Sequence, residues 1–170
     1  MIPYNNGIEK LNLIFSYKNN LIILRSISLL MPRESIYKDH IPASNPKIGN
    51  LKQPSYWFVF KSNYEMLVKL TKHKANIPYL KNPEEMNISP LRTQYLGTYN
   101  GKPCYSAEVA PETETPEGMV FKELRSLYEF LDEEIFLLAG KAVQVICWDK
   151  DHQYCGRCGT QTETSEYEMA

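Results

Sequence analysis

The part of the sequence that most restricts the fold is the segment spanning residues 95–108. Two runs of strand-forming residues flank the pair Asn100-Gly101. A type I′ turn needs positive φ at both of its central residues, and Asn followed by Gly meets that need at little steric cost. The sequence therefore predicts a tight antiparallel β-hairpin at this point.

The first hundred residues are rich in further strand signals. Residues 11–17 and 21–28 flank a short Lys-Asn-Asn connection, which suggests a second hairpin. The continuous apolar run at residues 56–60 indicates a strand covered on both faces, and residues 65–71 favour another strand or a helical turn. A long surface loop is expected over residues 31–54, which contain several prolines: Pro32, Pro42, Pro46 and Pro54.

Two helices are predicted after the sheet. In residues 119–131 the apolar side chains recur at the three-and-four spacing of one buried stripe: Val120, Phe121, Leu124, Leu127, Tyr128 and Leu131. Asp132 is a good N-cap for a second helix that runs to about Lys150. The core face of that helix consists of Ile135, Leu138, Ala139, Ala142, Val145 and Ile146. We therefore expect an α+β fold, with a mixed, mostly antiparallel sheet followed by two helices.

Composition narrows the class of protein. The chain has 170 residues, 43% of them hydrophobic, which is enough for one good core. Its net charge of -1 and pI of about 6.3 give no basic footprint for nucleic acid or an anionic membrane. The amino terminus lacks the pattern of a signal peptide, and residues 21–31 are interrupted by Arg25 and too short to span a bilayer. These features predict a cytoplasmic protein with no membrane partner.

A Cys-x-x-Cys motif, Cys155-Gly-Arg-Cys158, follows the second predicted helix, and Gly159 comes directly after it. The tight turn brings both sulfurs to one side, where they are able to bind one zinc ion. A structural zinc site usually takes four such ligands, with the second pair roughly 15 to 20 residues after the first. That pair falls at or beyond Ala170. We therefore expect half of a zinc ribbon, and a chain that is the front piece of a larger protein.

Two alternatives apply at this motif. A redox Cys-x-x-Cys normally opens a helix, whereas this one follows a helix, so metal binding is favoured over redox chemistry, and a pair of surface thiols without function is the remaining interpretation. His152 is either a third ligand or a cap of the helix C-terminus, and capping is favoured.

The remaining titratable side chains indicate no site. His40 and His73 lie in polar, loop-like surroundings and are expected at the surface. Cys104 and Cys147 stand alone, so we expect buried small hydrophobes. The acidic groups at residues 84–85 and 132–134 are interpreted as solvated. No catalytic residues are predicted.

Several of these segments together resemble a known family. They are Ala139-Gly-Lys-Ala142 on the helix, Trp148, the motif from His152 to Thr162, and the hairpin that begins with residues 95–101. In this combination and order the chain resembles the NADH pyrophosphatase branch of the Nudix hydrolases. In that family a degenerate Nudix-like N-terminal domain precedes a four-cysteine zinc ribbon and a catalytic Nudix domain.

The resemblance implies a division of the chain. Residues 1–114 correspond to the β-rich Nudix-like domain, residues 115–151 to a helical segment packed on it, and residues 152–170 to the first knuckle of a truncated zinc ribbon. Cys155 and Cys158 look like the first two zinc ligands. The catalytic Nudix domain is absent, because no segment contains the Nudix signature of a glycine followed at fixed spacing by the metal-binding glutamates.

The resemblance also implies an activity for the parent protein. That activity is hydrolysis of NAD(H) to nicotinamide mononucleotide and AMP, and some members also remove NAD caps from RNA. Water activated by Mg²⁺ or Mn²⁺ attacks a phosphorus atom. The present chain is expected to be inactive and to act as scaffold and dimerisation portion of a homodimer. A zinc-ribbon module that binds protein or RNA is the alternative, and a stand-alone redox protein is a third.

Overall fold

The computed structural model describes residues 39–43, 45–46, 53–61 and 64–163. All of these residues belong to one compact unit. The hairpin expected at residues 11–28 lies outside the described residues and stays a prediction.

Eight strands form a mixed sheet in the described part of the chain. Their bounds are β1 (His40–Ile41), β2 (Ser55–Lys61), β3 (Glu65–Leu70), β4 (Ala75–Asn76), β5 (Tyr79–Leu80), β6 (Arg92–Tyr99), β7 (Lys102–Glu108) and β8 (Val120–Glu123). The order across the sheet is β1-β6-β7-β2-β3-β4, with β5 added to β2 and β8 added to β3. Only the β2–β7 pair is parallel among these pairings. The prediction of a mixed, mostly antiparallel sheet is confirmed.

Strands β6 and β7 form the hairpin predicted from Asn100-Gly101. Both residues have positive φ, 51° and 71°, as a type I′ turn requires. The register shifts between Tyr95 and Gly97, because Leu96 is an extra residue that forms a β-bulge. The bulge bends β6 and sets the position of Gly97.

Strand β2 lies at the centre of the sheet and is covered on both faces, as its apolar run predicted. Phe58 and Phe60 belong to the cluster on the face that carries the helix. Trp57 and Val59 belong to the cluster on the opposite face. All four side chains are buried, because alternate residues of a strand point to opposite faces.

One long α-helix, α1 (Glu133–Asp151), packs on the sheet. Its N-cap is Asp132, as predicted, although this side chain pairs with Lys74 at 3.0 Å instead of capping the helix. The expected core face is buried except for Val145, which is half-buried. No helix in the described ranges has the length and apolar character needed to cross a membrane.

The helix predicted for residues 119–131 is wrong. Val120–Glu123 is instead strand β8, which pairs antiparallel with β3, and Leu124–Leu127 is a short 3₁₀ helix. The edge of β3 needs hydrogen-bond partners, and β8 supplies them. Leu124, Leu127 and Leu131 are still buried in the core. Their spacing therefore reflects burial from a 3₁₀ turn and the bend after it, and no α-helix is needed to explain it.

The loop expected at residues 31–54 contains a short strand, and His40 within it is buried rather than exposed. His40 is only 5% exposed, and its Nε2 donates to the Leu96 carbonyl at 2.7 Å. Strand β1 can approach β6 closely because Gly97 has no side chain. A Cβ on Gly97 would lie 2.0 Å from the carbonyl oxygen of Ile41. His73, in contrast, is exposed as expected.

Candidate metal site

The candidate site begins where α1 ends, at the C-cap residue His152. The backbone N–H of His152 donates to the Trp148 carbonyl at 3.0 Å. Nδ1 of the imidazole lies 2.7 Å from the same oxygen, and it must donate because a carbonyl only accepts. The ring also stacks on the Trp148 indole, with centroids 4.5 Å apart. The capping role favoured from the sequence is confirmed.

Residues 154–161 form a tight turn that we call the knuckle. Its first and last residues form an antiparallel bridge. Within it the Cys155 N–H donates to the Thr160 carbonyl at 2.7 Å, and the Gly159 N–H donates to the Cys155 carbonyl at 2.8 Å. Gly159 has a φ of 70°, a left-handed conformation that glycine adopts without steric cost. These bonds turn the chain back on itself and bring the two cysteines together.

The Cys158 thiol of the knuckle lies beside the side chain of Thr160. Cys155 is half-buried and Cys158 is exposed. Sγ of Cys158 lies 3.3 Å from Oγ1 of Thr160. Hydrogen bonds from the Thr160 hydroxyl, the Thr160 backbone N–H and the Cys155 thiol lower the pKa of Cys158 to about 7. The thiolate, which is the form of cysteine that binds metal, is thus favoured at this position.

The donor set of the knuckle fits half of a structural zinc site. Zinc in such sites is normally held by four cysteine or histidine ligands in a tetrahedron, and Cys155 and Cys158 supply two. Among the described residues, no group of three or more His, Cys, Asp or Glu side chains is placed to bind a metal ion. His152 is directed to Trp148 instead of toward the thiols.

A network of charged and polar side chains anchors the end of α1 to the β6–β7 hairpin. Arg92 contacts Glu108, with Nε and Oε2 2.6 Å apart, and Asp149, with Nη1 and Oδ2 3.2 Å apart. The contact with Glu108 is ionic rather than a well-directed hydrogen bond. Gln94 donates to Asp149 at 2.9 Å, and Lys150 pairs with Glu108 at 3.1 Å. The last turn of α1 is therefore fixed on the sheet just before the knuckle begins.

The two other cysteines lie outside the knuckle. Cys104 is fully buried, and burial raises the pKa of its thiol to about 12. It is thus the buried small hydrophobe that the sequence predicted. Cys147 is only half-buried, and its hydrogen bond with the Tyr64 hydroxyl raises the pKa of that tyrosine. The same prediction therefore holds only in part for Cys147.

The acidic groups have structural partners. Glu85 forms a capping box with Asn82 at the start of a 3₁₀ helix, Pro83–Met86. Glu134, in the first turn of α1, accepts a hydrogen bond from the Asp39 backbone N–H at 2.8 Å. These contacts show that the carboxylates stabilise local structure, and no metal site forms from them within the described residues.

Several residues that shape the site were not identified from the sequence. They are Thr160 beside Cys158, Thr162 and Gln153 at the base of the knuckle, and the Arg92–Asp149 pair. A threonine two residues after a cysteine is a weak local signal for a hydrogen bond to sulfur. The pairing of Arg92 with Asp149 has no sequence signal, because the two residues are far apart along the chain.

Comparison with known families identifies the part of the chain that precedes the knuckle. A family model described as the NADH pyrophosphatase-like rudimentary NUDIX domain matches residues 54–148, which is more than half of the chain. The matched region runs from just before β2 to the last turn of α1, and the knuckle lies after it.

Curated relatives that the chain matches carry the name NAD-capped RNA hydrolase NudC, and three of them show the extent of the likeness. The chain is 29% identical to that of Stutzerimonas stutzeri over 87 residues, covering 51% of this chain and 31% of the relative. The protein of Deinococcus radiodurans is 33% identical over 75 residues, covering 44% and 26%. That of Actinobacillus succinogenes is 32% identical over 95 residues, covering 56% and 34%. The chain thus aligns with about a quarter to a third of the length of these relatives.

The family match covers the central strand, the β6–β7 hairpin and the helix that carries the knuckle. It confirms the resemblance inferred from the hairpin and the helix. The chain belongs to the family of NADH pyrophosphatase-like rudimentary NUDIX domains.

Proposed function

We propose that this chain is the amino-terminal, non-catalytic part of an NAD(H) pyrophosphatase that also acts on NAD-capped RNA. The observation that carries the proposal is the match of residues 54–148 to the rudimentary NUDIX domain. The names of the relatives, all NAD-capped RNA hydrolases, support the substrate class.

The role within that protein is a scaffold. The reaction breaks the pyrophosphate bond of NAD(H) by attack of water on phosphorus and releases nicotinamide mononucleotide and AMP. Carboxylates that hold Mg²⁺ or Mn²⁺ are needed to activate the water and to neutralise the pyrophosphate. The chain has no Nudix signature to supply them. The sheet and α1 therefore support a catalytic domain instead of performing the reaction.

The proposal includes a structural zinc ion held in part by Cys155 and Cys158. Its support is the tight knuckle, which carries both thiols on one turn, and the contact between Cys158 Sγ and Thr160 Oγ1 at 3.3 Å. The zinc ion would join the knuckle to a second pair of ligands and thus fix the direction in which the chain leaves α1.

A homodimer and a cytoplasmic location are part of the same proposal. Both follow from the family resemblance. The unpaired state of all four cysteines is in keeping with a reducing compartment. Light scattering of the purified protein tests the dimer, and a monomeric mass over a wide concentration range would contradict it.

The activity is tested by AMP release from NADH in the presence of Mg²⁺ or Mn²⁺. We expect none from this chain alone. AMP is expected when the chain is produced together with the coding sequence that follows it in the genome, and removal of the divalent ion with a chelator should abolish the release.

Two results would overturn the proposal. AMP release by this chain alone would place catalysis in residues that carry no Nudix signature. A continuation of the gene without a Nudix signature would favour the zinc-ribbon binding module, and the search would then turn to its protein or RNA partner.

A further inference from the structure

The knuckle has no apolar core of its own. From Asp151 to Glu163 each residue is exposed except the half-buried Cys155. Hydrophobic burial, the main stabilising force in the sheet and helix, is therefore small here. The shape of the knuckle depends on polar contacts.

Thr162 closes the base of the knuckle with two hydrogen bonds. Its backbone N–H donates to the Gln153 carbonyl at 3.0 Å. Its hydroxyl donates to the His152 carbonyl, one of the carbonyls left without a helical partner at the end of α1. Thr162 thus connects the outgoing strand of the knuckle directly to the C-terminus of the helix.

Gln153 connects the incoming side to the same helix. Its Nε2 donates to the backbone carbonyl of Asp149 at 2.6 Å. The side chain of Asp149 in turn accepts hydrogen bonds from Arg92 and Gln94 of β6. A continuous series of hydrogen bonds therefore runs from the sheet through the end of α1 to Thr162.

This series fixes both ends of the segment that carries the two thiols. Ordering a flexible segment costs conformational entropy, and a ligand that must order it binds more weakly. Where the protein orders the segment in advance, less of the binding free energy is lost in this way. The same two sulfurs on a loop without these hydrogen bonds are therefore expected to bind metal more weakly.

We propose that Thr162 and Gln153 are positioning residues of the zinc site, which hold Cys155 and Cys158 in a metal-ready arrangement without touching the metal. This inference rests on the proposed function, since it assumes that the knuckle binds zinc.

The test is titration of the reduced protein with Co²⁺, which reports thiolate ligands by charge-transfer absorbance, followed by displacement with Zn²⁺. The protein is produced together with the coding sequence that follows it in the genome, because the proposed site takes its second pair of ligands from there. Thr162→Val keeps the shape of the side chain and removes the hydroxyl donor. Thr162→Ser keeps the donor, and Gln153→Met removes the amide. Thr115→Val changes an exposed threonine outside the knuckle and is the matched control.

We expect Thr162→Val and Gln153→Met to raise the Kd for the metal about two- to tenfold, the range for loss of one hydrogen bond. Thr162→Ser and Thr115→Val should bind as the wild type does. The spectrum at saturation and the midpoint of thermal unfolding in chelator should not change in any variant, because neither the ligands nor the core is altered.

The test separates failure of the proposed zinc site from failure of the positioning role. If the wild-type protein, produced with the coding sequence that follows it, gives no thiolate-to-cobalt band, the proposed zinc site is wrong. If the wild type binds and Thr162→Val and Gln153→Met bind equally well, zinc binding stands and the positioning role is wrong. An equal loss of metal affinity in Thr162→Val and Thr162→Ser would also refute the role of the hydroxyl.

Discussion

The sheet-and-helix core and the knuckle are adjacent along α1 and are stabilised in opposite ways. In the core, side chains such as Phe58, Leu138 and Ala142 have no exposed surface. In the knuckle, Tyr154 is 64% exposed and Cys158 is exposed as well. Burial of apolar surface maintains the core without any ligand, whereas the knuckle depends on hydrogen bonds at the surface. The difference shows that apolar burial alone is available to stabilise the first region, whereas the second would gain most from the zinc ion proposed above.

The largest effect is expected from truncating the core. Phe58→Ala removes a fully buried aromatic ring at the centre of β2 and leaves a cavity against α1. We expect a loss of about 3–5 kcal/mol in the free energy of unfolding, measured by urea denaturation. Leu91→Ala, at a site 62% exposed, is the control and should change the same quantity by no more than about 0.5 kcal/mol. A similar small loss at both positions would contradict the described core.

The second test addresses the close approach of β1 to β6. Gly97 has a φ of 104°, and a Cβ there would overlap the Ile41 carbonyl oxygen and lie 2.8 Å from the Ala43 nitrogen. Gly97→Ala should therefore cost about 3 kcal/mol, because backbone strain adds to the displacement of β1. Gly101→Ala also strains a positive φ but meets nothing within 4 Å, so about 1 kcal/mol is expected. Equal costs in urea denaturation would show that β1 does not pass over Gly97.

The third test concerns the ionic network that fixes the last turn of α1 on the sheet, just before the knuckle begins. Arg92→Met leaves Glu108 and Asp149 with one partner fewer at positions only 17% and 16% exposed. We expect a loss of about 1–3 kcal/mol. Lys74→Met breaks the exposed Lys74–Asp132 pair and should cost less than about 1 kcal/mol. A double-mutant cycle with Asp149→Asn measures the coupling, and a coupling energy near zero would rule out the network as an anchor.

The fourth test uses pH. Burial lowers the pKa of His40, opposed by its hydrogen bond to Leu96, while the charge of Lys141 lowers it and that of Glu134 raises it. Since the folded pKa lies below the unfolded one, the unfolded chain binds more protons between the two values. Stability should therefore fall as the pH falls below about 6.5, by at most about 1.4 kcal/mol per pH unit.

His40→Gln keeps an N–H donor but does not titrate in this range. The difference in unfolding free energy between wild type and this variant, measured from pH 5 to 8, should shrink toward acid. A difference that stays constant over that range would mean that His40 is not protonated on unfolding.

The smallest effect is expected in the knuckle. In the presence of a chelator, Cys155→Ser should change the free energy of unfolding by less than about 0.5 kcal/mol, because the knuckle adds no buried apolar surface. Cys104→Ser makes the same atomic change in the core and places a hydroxyl where nothing is exposed, so about 1–3 kcal/mol is expected. Equal effects of the two substitutions would remove the distinction between the regions.

Local sequence signals predicted the elements that depend on local chemistry. Asn100-Gly101 produced its hairpin, and Asp132 marked the start of α1. The apolar spacing of residues 119–131 led to the wrong prediction of an α-helix. The same spacing of leucines is compatible with an edge strand followed by a 3₁₀ turn. The open edge of β3 decided between an α-helix and a strand at residues 120–123. Strand β3 is distant from these residues along the chain.

For the candidate site, the sequence identified the two cysteines but not the residues that hold them in place. Cys155 and Cys158 are identified by their spacing, because two ligands within one turn are close in any conformation of that turn. Thr162 and Gln153 carry no such signal. Their contacts with the end of α1 depend on the path that the chain takes after the knuckle.

The sequence by itself determined the α+β class, the hairpin, the helix that leads to the Cys-x-x-Cys motif, and the family resemblance. These features arise from backbone preferences and apolar periodicity within a few residues. Only the tertiary structure decided that residues 120–123 join the sheet, that His40 of β1 is buried and bonded to β6, and that Arg92 anchors Asp149. Each of these depends on contacts between segments far apart in the chain, and the free energy of such contacts is set by burial and geometry that no local pattern records.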